Sequence, residues 1–365
     1  MTKKNSKLKG AAGTAVAQTI GIDLGDRSSV HCNLSRDGEV MEEGSFQNTV
    51  ESIKKHFANI PPARIALEVG GQSSWISREL KKYGHEVLVA NARDLRGISQ
   101  SDRKNDRNDA EKLARYARLD PALLNPITHR DSGRQRDLNL IRARDAIVRA
   151  RTQLVNSARG MAKGEGLRLP PSVTETFGQR ALNLLPAELK PGLQPLLKAI
   201  DELSVNIAKC NVELEQRMES YPEAKQLREV PGVGTLTALS FVLTLGDKNR
   251  FIHSRDVGAY LGLQPKQSQS GARDPQLGIS KAGNGYLRKL LVQCAHHTLG
   301  RFGKDSALRA WGLAKITSGG KNAKKRVIVA VARKLAVLLH RLWTTGAVYQ
   351  PFFGRTETME NLVKS

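Results

Sequence analysis

Asp23 interrupts the run Thr19-Ile20-Gly21-Ile22-Asp23-Leu24-Gly25, whose β-branched and apolar residues read as a strand that becomes buried. A carboxylate inside such a strand is costly to desolvate unless it is paired or binds a cation. Glu68 ends a second such run, ARIALEV, and is followed by Gly70-Gly71 much as Asp23 is followed by Gly25. Neighbouring strands would bring both acids to one edge of a sheet. Asp106 and Asp109 stand three apart where a helix begins, after Asp102, so they share one face. Acids at a helix start also complement its dipole, and an isolated DxxDA says little. Together, however, Asp23, Glu68, Asp106 and Asp109 are four acids in the order D–E–D–D, each at the end of an element. Hard oxygen ligands of this kind hold paired Mg²⁺ ions roughly 4 Å apart, one activating an attacking oxygen and the other stabilising a leaving one.

A strand followed by Gly-Asp opens two kinds of protein, actin-like ATPases and ribonuclease-H-like nucleases. The first needs a later acid-and-glycine phosphate loop. The only candidate, Val69-Gly70-Gly71-Gln72-Ser73, lacks the acid and comes too early in the chain. Metal binding is the better reading of Asp23.

The elements that must position these acids follow from the pattern. Strands are expected at TIGIDLG, SVHCNLS and VMEEGSF, then a helix over 48–58, a strand at 63–69, a helix over 73–83 and a strand at 85–90. Three strands followed by alternating helices and strands is a ribonuclease-H-like (RuvC-like) α/β order. Two long helical stretches come next. Leu140/Ile141, Ile147/Val148 and Leu154/Val155 recur every seven residues in 137–159; Ile200, Leu203, Ile207, Cys210, Leu214 and Met218 form a seam in 200–218. These predict a coiled-coil region, with Arg142, Arg144, Arg149 and Arg151 on faces that could also meet phosphate. Residues 164–195, rich in Gly and Pro, read as a loop-like connection. The expected division is 18–125, 130–222 and 223–350.

Charge narrows the class of partner. The 365 residues carry 58 Lys and Arg against 35 Asp and Glu, a net charge of +23. The excess is spread over several segments, including seven basic residues and no acid between Lys321 and Arg341, and marks a polyanion partner, most simply nucleic acid. Aromatic residues make up only 5%, so backbone contact is expected to outweigh base stacking. Cys32, Cys210 and Cys294 form no CxxC pair, which argues against zinc and disulfides and for a reducing cytoplasm. The apolar block at 327–332 is cut short by Arg333-Lys334, so no membrane span is expected.

The last third carries two further motifs. Pro231-Gly232-Val233-Gly234 between apolar helical stretches is a helix-hairpin-helix signature, in which the amides of Gly232 and Gly234 approach a nucleic-acid backbone. In GLQPKQSQSGARDPQLGISKAGNGYLRKLL, a serine beside a glycine is surrounded by Arg273, Lys281 and Arg288. Cations there would neutralise a phosphodiester and favour the charge that develops on it during attack. Ser268 lies two residues before Ser270.

These motifs together resemble the DEDD-type insertion-sequence transposases over about residues 18–350. The resemblance implies a RuvC-like N-terminal domain, a coiled coil and a mostly α C-terminal transposase domain. It assigns metal binding to Asp23, Glu68, Asp106 and Asp109, and the nucleophile to Ser270. It further implies Mg²⁺, donor and target DNA, a guide RNA encoded by the mobile element, and a homo-oligomer, dimer or tetramer, with active sites composed from more than one subunit. The protein would act on the bacterial nucleoid.

Overall fold

In a computed structural model, residues 17–91, 105–169, 171, 173–268 and 277–352 are described. The chain divides into two compact units, Met1–Arg130 and Asp131–Ser365.

The first unit is built on one five-stranded sheet. Its strands are β1 (Gln18–Leu24), β2 (Ser28–Ser35), β3 (Val40–Gln47), β4 (Arg64–Glu68) and β5 (Glu86–Ala90), in the spatial order β3-β2-β1-β4-β5. β1, β2 and β3 form an antiparallel meander, whereas β4 and β5 run parallel to β1. This is the mixed α/β order expected of a ribonuclease-H-like fold. Side chains alternate across the sheet. Ile20, Ile22, Ile65 and Leu67 face a core shared with α1 (Val50–Phe57) and α2 (Ser73–Lys82), through Ile53, Phe57, Ile76 and Leu80. The opposite face packs Cys32, Leu34 and Ala66 against Ala110, Leu113, Ala114 and Ala117 of α3 (Asp106–Leu119). Among the described residues β3 is an edge strand, with Glu42 and Glu43 exposed, whereas Ile127 bridges the outer side of β5 at Val89.

The second unit is helical. The two long helices, α4 (Ser132–Gly164) and α6 (Lys190–Met218), pack on each other. Residues 164–195 are not simply a loop: α5 (Phe177–Leu182) lies among them and α6 begins inside them. Phe177, Ala181 and Leu185 pack with Val155, Ala158 and Ala162 of α4 and Leu193, Leu197 and Ile200 of α6, so their apolar side chains fold a stretch whose Gly and Pro content reads as loop. Pro191 sits in the first turn of α6, where its missing amide costs no helical bond.

Beyond α6 come α7 (Pro222–Arg228), α8 (Thr235–Leu245), α9 (Asp256–Tyr260), α10 (Gly285–Leu299), α11 (Ala307–Thr317) and α12 (Ala323–Thr345). Every residue of α8 from Thr237 to Leu245 is buried, which makes it the centre of this core. Leu138, Ile141, Leu214 and Met218 enter the same core, so α4 and α6 are continuous with it. No helix among the described residues is long and apolar enough to cross a membrane.

Candidate active site

Alternation fixes where the first two acids stand. Ile20, Ile22, Ile65 and Leu67 point to the α1/α2 face; Gly21, Asp23, Ala66 and Glu68 therefore point to the face that carries α3. The last paired residues of the parallel strands β1 and β4 are Ile22 and Leu67. Asp23 and Glu68 each follow directly, at the carboxyl ends of adjacent strands. Gly21 explains how α3 comes so close: a Cβ there would lie 1.9 Å from the Ala110 carbonyl oxygen and 2.6 Å from the Ala114 amide. Only glycine fits.

The same contact sets the register of α3. Asp109 immediately precedes Ala110, and Asp106 lies one turn earlier in the first turn of the helix, after the cap Asn105. Asp109 is buried, its Oδ1 stands 3.6 Å from Lys112 Nζ, and neither atom has a hydrogen-bond partner. Asp106 is exposed. Among the described residues, no three His, Cys, Asp or Glu side chains stand close enough to hold a metal ion. The donor chemistry nevertheless fits a hard divalent cation: the acids at this end of the sheet offer oxygen alone, and the Asp109 oxygen is a buried acceptor without a donor.

Asn48 and Gln72, neither of them a candidate site residue from the sequence, hold the turn that follows Asp23. Asn48 Nδ2 donates to the Gly25 carbonyl at 2.9 Å and to that of Asp26 at 3.4 Å, while its Oδ1 accepts from Ser29 Oγ at 2.7 Å. Gln72 Nε2, from the loop after Glu68, donates to the same two carbonyls, at 3.2 Å for Gly25. Ser73 Oγ accepts from the Gly70 amide at 3.0 Å, which shapes the Gly70-Gly71 turn. The loops following Asp23 and Glu68 are thus clamped together. Cys32 lies buried under α3, and burial pushes its thiol up to about 11, which suits packing rather than attack.

In the second unit, Ser270 and Arg273 lie outside the described residues; Ser268 is exposed. The chain on either side of them is paired: Pro265 bridges Ile279, the Lys266 amide donates to Gly278 at 2.9 Å, and the Ser280 amide donates to Gln264 at 2.8 Å. Two glycines of the motif serve close backbone packing. Gly262 (φ +68°) would place a Cβ 2.4 Å from Ala282, and Gly283 (φ +69°) one 2.0 Å from the Tyr260 carbonyl. Arg288 is a strut rather than an exposed phosphate contact, because its Nη1 donates to the Leu261 and Ala282 carbonyls at 2.8 Å each. Lys281 is exposed, on backbone at φ +57°.

The other basic expectations divide in the same way. Arg151 is corrected outright: it is buried, donating to Ser204 Oγ at 3.0 Å and to Glu175 at 3.2 Å, so it ties helices together and does not face nucleic acid. Arg144 donates to Asn211 at 2.6 Å, Arg149 is exposed and pairs with Asp145 at 3.1 Å, and Arg142 is exposed. Gly232 is half-buried at φ +89°, its Cβ position 3.1 Å from His297 Nδ1, so it serves the turn and its packing. Gly234 is exposed at the N-cap of α8 with nothing near its Cβ position.

Comparison with known proteins covers both units. A family model for the DEDD transposases of the IS110 type, described as a transposase, matches residues 20–164. A second, described as the transposase IS116/IS110/IS902 family, matches residues 224–311. The transposase for insertion sequence element IS1328 of Yersinia enterocolitica is 31% identical over 338 residues, 90% of this chain and 98% of the relative. The transposase for insertion sequence element IS1111A of Coxiella burnetii is 29% identical over 349 residues, 91% of each. A pilin gene-inverting protein of Moraxella bovis is 24% identical over 337 residues, 87% of this chain and 93% of the relative.

Proposed function

Because this chain belongs to the IS116/IS110/IS902 family of transposases, we propose that it cuts and exchanges DNA strands to insert and excise its own mobile element, with Ser270 as covalent nucleophile. The observation that carries the reading is the shared end of β1 and β4: Asp23 and Glu68 on the face covered by α3, with the buried Asp109 on that helix. Asp23, Glu68, Asp109 and, from the first turn of α3, Asp106 would hold Mg²⁺. Bound there, the cation supplies Lewis acidity toward a phosphate oxygen. The protein supplies the rest. The Asn48 and Gln72 amides keep the Asp23 and Glu68 loops together, and Lys281 and Arg273 draw a phosphate toward the serine.

Chemically, the Ser270 hydroxyl attacks phosphorus and gives up its proton as the Ser–O–P bond forms. One P–O bond of the backbone breaks and its oxygen leaves as a strand hydroxyl. A hydroxyl from another strand then reverses the step and frees the serine. No bond energy is lost to hydrolysis, which suits exchange of strands. A relative named for inverting a gene fits such chemistry, since inversion requires rejoining. The +23 charge supports polyanion binding, and an element-encoded guide RNA is proposed as a second nucleic-acid partner of a dimer or tetramer.

The test uses full-length protein, Mg²⁺ and labelled DNA carrying element ends. A covalent protein–DNA adduct is expected from wild type and from Ser268→Ala, and none from Ser270→Ala. Asp23→Asn, Glu68→Gln and Asp109→Asn are expected to slow cleavage by about a thousandfold while retaining DNA binding. Cleaved ends without any adduct would make the protein a junction nuclease instead. Restored activity on mixing Ser270→Ala with Asp23→Ala chains would show that subunits share sites.

A further inference from the structure

The tight turn before α8 and the loop after α10 both pack against the last turn of α10. Thr298 joins them. Its Oγ1 lies 3.4 Å from the Cβ position of Gly232, and its carbonyl lies 2.1 Å from that of Gly303. The loop is fixed from within. Arg309 Nη1 donates to the carbonyls of Thr298 and Gly300, the latter at 2.7 Å, and the Gly300 and Gly303 amides donate to His297 and Gly300 at 3.1 and 3.2 Å. Arg309 is itself placed by the cap of α11, where Ser306 Oγ accepts from its amide, and by Asp305 at 3.6 Å.

A loop held this firmly nevertheless carries Phe302 70% exposed, against 55% for Phe352. The Arg301 guanidinium lies over the Phe302 ring, 4.4 Å from its centroid. Lys304 is exposed two residues further on. An exposed aromatic on a mobile tip needs no explanation, but here the loop backbone is held and the ring stands in water against the Arg301 guanidinium.

We propose that Phe302 is a base-stacking platform: it takes an unpaired nucleobase of a strand whose phosphates run past Arg301 and Lys304. The inference rests on the nucleic-acid reading above and adds base recognition to it. A base has a flat π-face and an adjacent anionic phosphate. The Phe302 ring and its stacked guanidinium match both, in an arrangement suited to strand distortion and not to an undistorted duplex, whose bases already stack on one another.

Binding of full-length wild type, Phe302→Ala and Phe302→Trp is measured with three probes. These are a fully paired DNA duplex, the same duplex with one extrahelical 2-aminopurine, and the RNA equivalent of the latter. Phe302→Ala is expected to lose about tenfold affinity for an extrahelical-base probe and none for the paired duplex. Phe302→Trp is expected to bind like wild type and to alter the 2-aminopurine fluorescence. Whether the DNA or the RNA probe shows the loss identifies the strand. Equal losses on paired and extrahelical probes, or no loss on either, would overturn the platform alone. Failure of wild type to bind any probe would overturn the nucleic-acid reading with it.

Discussion

The two units use their charged residues in opposite ways. In the first, Asp109 on α3 keeps a buried oxygen without a donor, and Asp106 is exposed. In the second, several cations nearest the recognisable motifs are already committed. Arg288 holds two carbonyls, Arg151 a serine and a glutamate, and Arg309 two more carbonyls. A net charge states how many cations there are and not how many remain for a partner. Burying an arginine is costly unless most of its donors are satisfied internally, and donors so used are withdrawn from phosphate.

That contrast can be broken from either side. The largest effect is expected for Gly21→Val, because the new side chain would collide with the backbone of α3. A loss of at least about 3 kcal/mol is expected, read by urea unfolding, with the first unit failing before the second. Arg151→Ala is expected to cost about 2 kcal/mol by the same measurement and to leave the salt dependence of DNA binding unchanged, as befits a strut.

Smaller and more selective is Asn48→Ala combined with Gln72→Ala. Releasing the turn after Asp23 is expected to weaken Mg²⁺ or Mn²⁺ binding about tenfold by calorimetry while the melting temperature of the second unit stays put. Least of all, Arg142→Ala is expected to leave stability unchanged and to lower the slope of log affinity against log salt by about one if that arginine meets a phosphate. An unchanged slope would mean that even this exposed cation faces only solvent.

Much of the first unit was legible because strands announce themselves locally. The alternation of Ile20 and Ile22 with Gly21 and Asp23 sets the faces, and the glycines after Asp23 and Glu68 end both strands on the same side. The need for glycine at position 21 was not legible, since it arises from a helix nearly ninety residues later. Nor was the clamp by Asn48 and Gln72: a side-chain amide bonds any carbonyl within reach, and no spacing rule ties either residue to Gly25. In the second unit the long seams showed the helices. The apolar residues of 177–185, however, look like a loop until Val155, Ala158 and Leu197 are placed against them. The fates of Arg144, Arg151 and Arg288 depended on partners 67, 53 and 27 residues away.

The edge of the sheet at β3 bears on how copies of this protein meet. Chains gathered on one polyanion are crowded, and an unpaired edge invites another edge to zip onto it. β5 is covered by the bridge from Ile127, but no described strand pairs with the outer side of β3. Glu42 and Glu43 stand exposed in the middle of it. A second β3 laid antiparallel against the first would bring glutamates close to glutamates, and like charges near one another across strands repel. In a chain of net charge +23, this acidic strip also turns away from phosphate. Copies of this protein can therefore crowd together without this edge seeding a fibre.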